Sequence, residues 1–264
     1  KLPGNRFRID ASALAENRSY SSEYFVQGDA LLTLDALADA LEGQMQIDPK
    51  FADDLKKTRQ EAQALVDSTL GPYVQLKNSL QAKLGKALWW VRDITLSNTM
   101  WGNRAPVLDH PRAGVHALGG GIGQGLAMGI GVAIANEEHG LQRKTVVLAG
   151  DGGFMLNVGE LACAAQERAN LLLILMNDSR YGVIKNIQDA IYGSRHCYVE
   201  LHNPAFHQFC ESLQVPHFKV SQADQIDAAF DQALKISGPV VLEIDMAAWG
   251  PFPVKFAGPP KKTD

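Results

Sequence analysis

Thr145-Val146-Val147-Leu148-Ala149-Gly150-Asp151-Gly152-Gly153 is the stretch from which the rest of the chain is read. Thr145 to Ala149 is short, apolar and bounded by turn formers, the pattern of a strand buried on both faces. Asp151 is thereby placed where that strand ends and its loop begins. Leu171 to Met176 has the same character, and Asn177-Asp178 follows it directly. The two strands lie about one βαβ unit apart, so each carries an acidic residue past its carboxyl end. Two hard oxygen ligands so placed suit a Mg²⁺ ion that bridges to a phosphate. Open α/β sheets bind their ligands outside the carboxyl ends of the strands, so the place fits as well. Asp-Gly and Asn-Asp are also ordinary turn formers. It is their order, spacing and strand context taken together that favour a site.

Moving outward, the pattern alternates strictly. Strands are expected at 87–93, 145–149, 171–176, 217–220 and 239–245, and helices at 123–136, 158–169, 204–213 and 222–236. Strands separated by helices of this length predict an α/β fold, a parallel sheet covered by helices on both faces. The amino-terminal part reads differently. Arg6-Phe7-Arg8-Ile9-Asp10 resembles a last strand and Leu31 to Leu41 an amphipathic helix, so residues 1–42 read as the remnant of a domain whose body is absent. Residues 43–86 are charged, helical in period and poor in strands, a helical connector. The binding domain is expected over 87–250, and 251–264, ending in Lys261-Lys262, as a loose tail. No internal repeat is visible.

Composition sets outer bounds. A chain of 264 residues can bury a sizeable core. A formal net charge of −4 gives no electrostatic case for nucleic acid or an anionic membrane. Cys163, Cys197 and Cys210 are odd in number and form no CxxC, so they read as buried thiols of a reducing compartment. No basic stretch followed by an apolar core opens the chain, and a cytoplasmic protein is expected. The start at Lys1 hints at a piece of something longer. Ala117 to Asn136 carries no charge and spaces Gly121, Gly125 and Gly129 as GxxxG. Its Gly and Ala content and Gln124 favour a helix packed tightly on a sheet over a membrane span.

Gly150-Asp151-Gly152, the intervening helix and Asn177-Asp178 resemble the GDG…NN motif of thiamine-diphosphate-dependent enzymes. The resemblance covers residues 87–250 well and 1–42 loosely. It implies the thiamine-diphosphate-binding fold, with the GDG aspartate, the second residue of NN and a backbone carbonyl two residues on holding Mg²⁺ against the cofactor diphosphate. Those positions are Asp151, Asp178 and the carbonyl of Arg180. Gly150, Gly152, Gly153, Tyr181 and Gly182 would complete the cofactor surface around them. One departure is plain: Asp178 stands where the family usually has Asn, and adds a negative charge beside an anionic diphosphate.

Gly119, Gly121, Gly123 and Gly125 alternate into a helix, but Gln124 breaks the GxGxxG dinucleotide fingerprint. The resemblance instead implies that the Gly120 carbonyl accepts a hydrogen bond from the cofactor's aminopyrimidine, while Ile122 wedges the cofactor into a bent shape. Thr95, Ser97 and Asn98 follow the first strand of the alternating region and offer hydroxyls and an amide to a diphosphate. A polar turn after a strand reads the same way. Ile184 and Ile187 would form an apolar wall of the substrate pocket, although apolar residues at that spacing are commonly core. Of the histidines, His116 just before the glycine loop is the candidate acid–base group.

The same resemblance implies a part that residues 1–86 do not supply: a pyrimidine-binding domain whose glutamate activates the cofactor. It would lie on a missing segment or on another chain, in a parent that is a homodimer or homotetramer. The expected function is the Mg²⁺- and thiamine-diphosphate-binding portion of a 2-oxo acid decarboxylase or carboligase, a lyase or transferase resembling acetolactate synthase and inactive by itself. The alternatives are a simple decarboxylase, resembling benzoylformate or pyruvate decarboxylase, and a catalytically silent cofactor-binding subunit.

Overall fold

A computed structural model describes residues 6–18, 20–256 and 258. The chain forms two compact units, residues 1–58 and 59–264. In the first, β1 (Phe7–Asp10) pairs in parallel with β2 (Tyr24–Gln27), and Phe7 stacks on Tyr24 with ring centroids 4.6 Å apart. The helix α1 (Ala30–Leu41) starts where the Asp29 carboxylate accepts the Leu32 N–H at 3.0 Å, a side-chain cap. It buries no residue, and neither does the charged α2 (Phe51–Ser68) that follows.

The second unit takes in the end of α2 and goes on to α3 (Tyr73–Leu84), β3 (Trp89–Arg92), β4 (Gly114–His116) and α4 (Gly125–Glu138). It continues with β5 (Thr145–Gly150), α5 (Asp151–Leu156), α6 (Glu160–Gln166), β6 (Leu171–Asn177) and α7 (Gly182–Tyr192). The last elements are α8 (Phe206–Ser212), β7 (His217–Val220), α9 (Ile226–Ala233), β8 (Val240–Asp245) and α10 (Met246–Trp249). The six strands form one sheet in the order β4-β3-β5-β6-β8-β7, every pair parallel.

Both faces of this sheet are buried, which is why its central strands are continuously apolar rather than alternating. Val146, Leu148, Ile174, Leu242 and Ile244 join Tyr73, Leu76 and Leu80 of α3 and Phe230 of α9 in one core. Their neighbours along the strands, Val147, Ala149, Leu173, Leu175 and Val241, join Leu126 and Ile130 of α4, Leu161 of α6 and Phe206 of α8 in the other. Each such side chain contributes about 1.5–3 kcal/mol on burial.

Gly129 of α4 lies so close to β5 that a Cβ there would collide with Val147 Cγ2. From Gly125 on, the uncharged, glycine-spaced segment is therefore a helix seated on the sheet, while its start, with Gly121, is loop. Among the described residues no helix is long and apolar enough to cross a membrane.

Several local expectations change. No loop follows β5, because Asp151 is already the first residue of α5. The helix expected over 158–169 is the shorter α6, preceded by α5. Strands β2 and β4 lie where none was expected; β4 is a three-residue edge strand, too short to show a period. The thiols are not all buried: Cys210 is, whereas Cys163 and Cys197 are exposed. The stretch after Gly250 packs, since Phe252 is buried and stacks on Tyr73 at 4.2 Å, while the Tyr73 hydroxyl donates to the Gly250 carbonyl at 2.6 Å. Lys1 and the Lys261-Lys262 end of the expected tail lie outside the described residues.

Candidate functional site

From β3 the chain moves to the edge strand β4, then returns through α4 to β5 on the other side of β3. The connections leaving β3 and β5 thus run in opposite directions. Their carboxyl ends flank a crevice, the usual ligand position in open parallel sheets. A cavity of about 280 Å³ opens there. Four separate stretches line it: Ile94 to Leu96, Gly120 with Ile122, Gly150 to Gly153, and Asp178 with Arg180 to Ile184. Met246 closes one side, and a second hollow of about 380 Å³ continues beyond Asp178 and Gly182 toward Lys185.

Asp151 and Asp178 both face this cavity, and burial raises the pKa of each. For Asp178 the charge of Asp151 adds to burial, and its carboxyl is pushed up to about 7. The Arg180 charge opposes this but is outweighed by burial and by Asp151; its guanidinium also stands 3.8 Å from Glu200. A buried carboxylate whose charge raises the proton affinity of its half-buried neighbour forms an electrostatic deficit that a divalent cation would offset.

The backbone at Arg180 is shaped by a short antiparallel pairing. Tyr181 N–H donates to the Val199 carbonyl and Leu201 N–H to the Ser179 carbonyl, each at 2.8 Å, so Arg180 and Glu200 form an antiparallel pair between them. In such a pair the N–H and C=O of the intervening residue point away from the partner strand. The Arg180 N–H is directed to the Asp178 carboxylate, and its carbonyl points away from the 199–201 segment. Ser179 sits at φ +53°, a left-handed conformation uncommon outside glycine, which turns the chain sharply between Asp178 and Arg180. Among the described residues no three His, Cys, Asp or Glu side chains gather as a metal centre. The donor set here is oxygen only, the set that suits Mg²⁺.

Missing side chains make the walls. A Cβ on Gly152 would strike the Tyr181 ring, and one on Gly182 would lie 2.7 Å from Asp178 Oδ2. A Cβ on Gly150 would lie 2.9 Å from Thr95 Oγ1, so its absence lets the Thr95 hydroxyl close over the strand end. Gly119, Gly120 and Gly123 have φ of +64°, +74° and +91°, which bends the loop so that Gly120 and Ile122 face the cavity.

The loop is held by Asp93, a residue that attracts no attention in the sequence beyond ending a strand. Its buried carboxylate accepts the N–H of Gly123 at 2.9 Å, of Gly125 at 3.1 Å and of Ile94 at 2.7 Å. Burial raises the Asp93 pKa, and these backbone bonds pull against the rise. Asn157 clamps the far side, donating to the Gly123 carbonyl at 2.6 Å. A second unforeseen residue is Asn203, whose amide donates to Asp151 Oδ2 at 2.6 Å and to Asn177 Oδ1 at 3.2 Å. Its one local signal is the Asn-Pro pair, a turn former.

Other sequence candidates lie elsewhere. Ser97 and Asn98 are buried behind the cavity rather than lining it, and Asn98 Oδ1 accepts from Arg92 at 3.0 Å. Ile184 faces the cavity, whereas Ile187 lies beside Gly258. His116 is exposed at the end of β4, opposite Arg92, and does not line the cavity.

Comparison with known proteins bears on this arrangement. Residues 97–244 match the family described as thiamine pyrophosphate enzyme, C-terminal TPP binding domain. The catalytic subunit of mitochondrial acetolactate synthase from Saccharomyces cerevisiae is 21% identical over 249 residues, covering 92% of this chain and 36% of that protein. An X-ray structure described as a thiamin diphosphate-dependent enzyme from Mycobacterium smegmatis superposes with a TM-score of 0.69 at 17% identity, over 92% of this chain and 45% of that one. Benzoylformate decarboxylase from Polynucleobacter necessarius gives a TM-score of 0.60 at 21% identity, over 65% of this chain and 32% of that one. The chain therefore spans between about a third and a half of the length of these proteins.

Proposed function

The chain belongs to the thiamine pyrophosphate enzyme family, of which it carries the C-terminal cofactor-binding domain, and from that premise we propose that it anchors thiamine diphosphate through Mg²⁺ in a 2-oxo acid decarboxylase or carboligase resembling acetolactate synthase. The observation that carries this reading is the meeting of Asp151, Asp178 and Arg180 at one cavity that Gly120 and Ile122 also line. Asp151, Asp178 and the Arg180 carbonyl would hold the ion. Thr95 and the glycine backbone at 150–153 would receive the diphosphate. The Gly120 carbonyl would accept the hydrogen bond of the aminopyrimidine, and Ile122, an exposed apolar side chain that lines the cavity, would support the bend. Asp178 in place of asparagine raises the charge that the ion must offset, so binding depends on Mg²⁺ more steeply.

When bound, the cofactor supplies the electron sink that 2-oxo acid decarboxylation requires. The chain's own contribution is to orient and to exclude water. Leu96, Tyr181, Ile184 and Met246 give the cavity an apolar wall, which strengthens every electrostatic interaction inside it. Among the described residues the only acids lining this cavity are Asp151 and Asp178, both assigned to the ion. The glutamate that activates the cofactor would therefore come from a pyrimidine-binding domain on another segment or a neighbouring subunit. In this assignment residues 1–42 are the remnant of a middle domain, 43–86 a connector, 87–250 the binding domain and 251–264 a tail.

Calorimetric titration of the chain with thiamine diphosphate, with and without Mg²⁺, tests the reading. Binding that requires Mg²⁺ is expected, with no turnover of pyruvate or benzoylformate by these 264 residues alone. Binding that ignores Mg²⁺, or none, refutes the ion site, and turnover refutes the missing glutamate. Product analysis of a complete assembly with pyruvate separates carboligation, which yields a joined product, from simple decarboxylation.

A further inference from the structure

Behind Asp151 lies a relay of polar side chains that the cofactor reading does not use. Glu243 on β8 is buried, and its two oxygens accept from Asn177 Nδ2 at 2.8 Å and pair with His217 Nε2 at 2.9 Å. The Lys219 ammonium stands 3.7 Å from the same carboxylate. The side-chain hydrogen bonds and neighbouring charge outweigh burial, so the net pKa of Glu243 is lowered. An ionised carboxylate only accepts, so Asn177 must turn its NH₂ toward Glu243. That leaves Asn177 Oδ1 to accept from Ser179 N–H at 3.2 Å and from Asn203 Nδ2 at 3.2 Å.

The two hydrogens of the Asn203 amide are thereby allotted. One goes to Asn177 Oδ1 and the other to Asp151 Oδ2 at 2.6 Å. The Asn203 segment is itself tied to the metal loop through the Val199–Tyr181 and Leu201–Ser179 backbone bonds, both 2.8 Å.

We propose that Asn203 is a positioning residue that commits Oδ2 of Asp151 and so leaves Oδ1 as the single oxygen offered to the cation, with the Glu243–Asn177 contact fixing its direction. The inference rests on the cation site proposed above. A carboxylate restricted to one oxygen fits the small octahedral shell of Mg²⁺, whereas Ca²⁺ accepts bidentate carboxylates and higher coordination. Asn203 therefore sets both the affinity of the site and its preference between the two ions. Residues that orient a metal ligand in this way typically alter metal affinity by about 10–100-fold when removed.

The test uses the full chain with thiamine diphosphate, titrated in turn with Mg²⁺, Ca²⁺ and Mn²⁺, with binding read by calorimetry and Mn²⁺ uptake by electron paramagnetic resonance. Asn203→Ala is expected to raise the Mg²⁺ concentration for half-maximal cofactor binding by roughly 10-fold or more and to shift the Mg²⁺-to-Ca²⁺ ratio toward Ca²⁺. Asn203→Leu, which keeps the side-chain volume, is expected to do the same. Parent-like affinity and ion preference in either folded variant overturns the inference while leaving the cation site intact. Failure of the parent chain itself to take up Mn²⁺ overturns the cation site and this inference with it. Unfolding of both variants also overturns it, because Asn203 would then hold the fold rather than the ion.

Discussion

Replacing Asp178 by asparagine separates the cost of the site from its use. The Asp178 carboxyl is raised from 3.8 to about 7, first by burial and then by the charge of Asp151. Its folded-state pKa lies above its unfolded value, so the folded chain holds the proton more tightly. The group costs nothing below about pH 4, where both states are protonated. The cost grows as pH rises toward 7 and is constant above it. At about 1.4 kcal/mol per pH unit the full penalty is about 4 kcal/mol at pH 8, against about 1.5 kcal/mol at pH 5. Hydration of the open side of the cavity reduces both, so a gain of roughly 2–4 kcal/mol at pH 8 is expected for metal-free Asp178→Asn.

Urea unfolding in the presence of a chelator measures this directly. All four tryptophans, Trp89, Trp90, Trp101 and Trp249, lie in the second unit, so their fluorescence reports that unit alone. The expected result is a variant more stable than the parent by a margin that widens between pH 5 and pH 8. Adding Mg²⁺ with thiamine diphosphate should narrow the margin, because the ion offsets in the parent the charge that the variant lacks. An equal margin at both pH values, or a less stable variant at pH 8, refutes the reasoning.

Other changes probe the walls and supports. Gly152→Ala would drive a methyl group into the Tyr181 ring and to 3.0 Å from Leu201 Cδ1; overpacking of this kind costs about 1–3 kcal/mol and should appear as a lower melting temperature together with weakened cofactor binding. Asp93→Ala would strand the N–H groups of Gly123, Gly125 and Ile94. At about 1–3 kcal/mol for each buried group left unpaired, a loss of several kcal/mol in urea unfolding is expected, with faster hydrogen exchange across the glycine loop. Gly129→Ala should lower stability by about 1–3 kcal/mol by pushing α4 off Val147, yet leave the Mg²⁺ dependence of cofactor binding unchanged in calorimetry.

What was legible depended on whether the causes were local. Strands β5, β6 and β8 were readable because burial on both faces forces a continuous apolar run, and a run of that kind needs no partner to be seen. The same holds for Asp151 and Asp178, each marked by the strand it follows. The three-residue β4 carries no period, and its pairing with β3 is decided by the sheet. That Asp151 opens α5 was hidden because Gly152 and Gly153 are poor helix formers; the helix forms there because Phe154 is buried in the core beneath it. Ser97 and Asn98 misled for the opposite reason, since a polar turn after a strand looks the same whether it faces ligand or, as here, the interior.

The polar supports show where local reading ends. Asp93 reaches a loop 30 residues on, Asn203 reaches back 52 residues to Asp151, and Asn177 meets Glu243 across 66. A hydrogen bond of that span imposes no spacing and no periodicity, only a residue type at each end, and Asn and Asp are common at turns for other reasons. The acids proposed to hold an ion can thus be marked where they stand, while the residues that hydrogen-bond around them are brought there only by the folded sheet. Orientation is also what decides between two ions of equal charge, so under the proposal above ion preference would follow Asn203 and its relay rather than the acidic pair that the sequence displays.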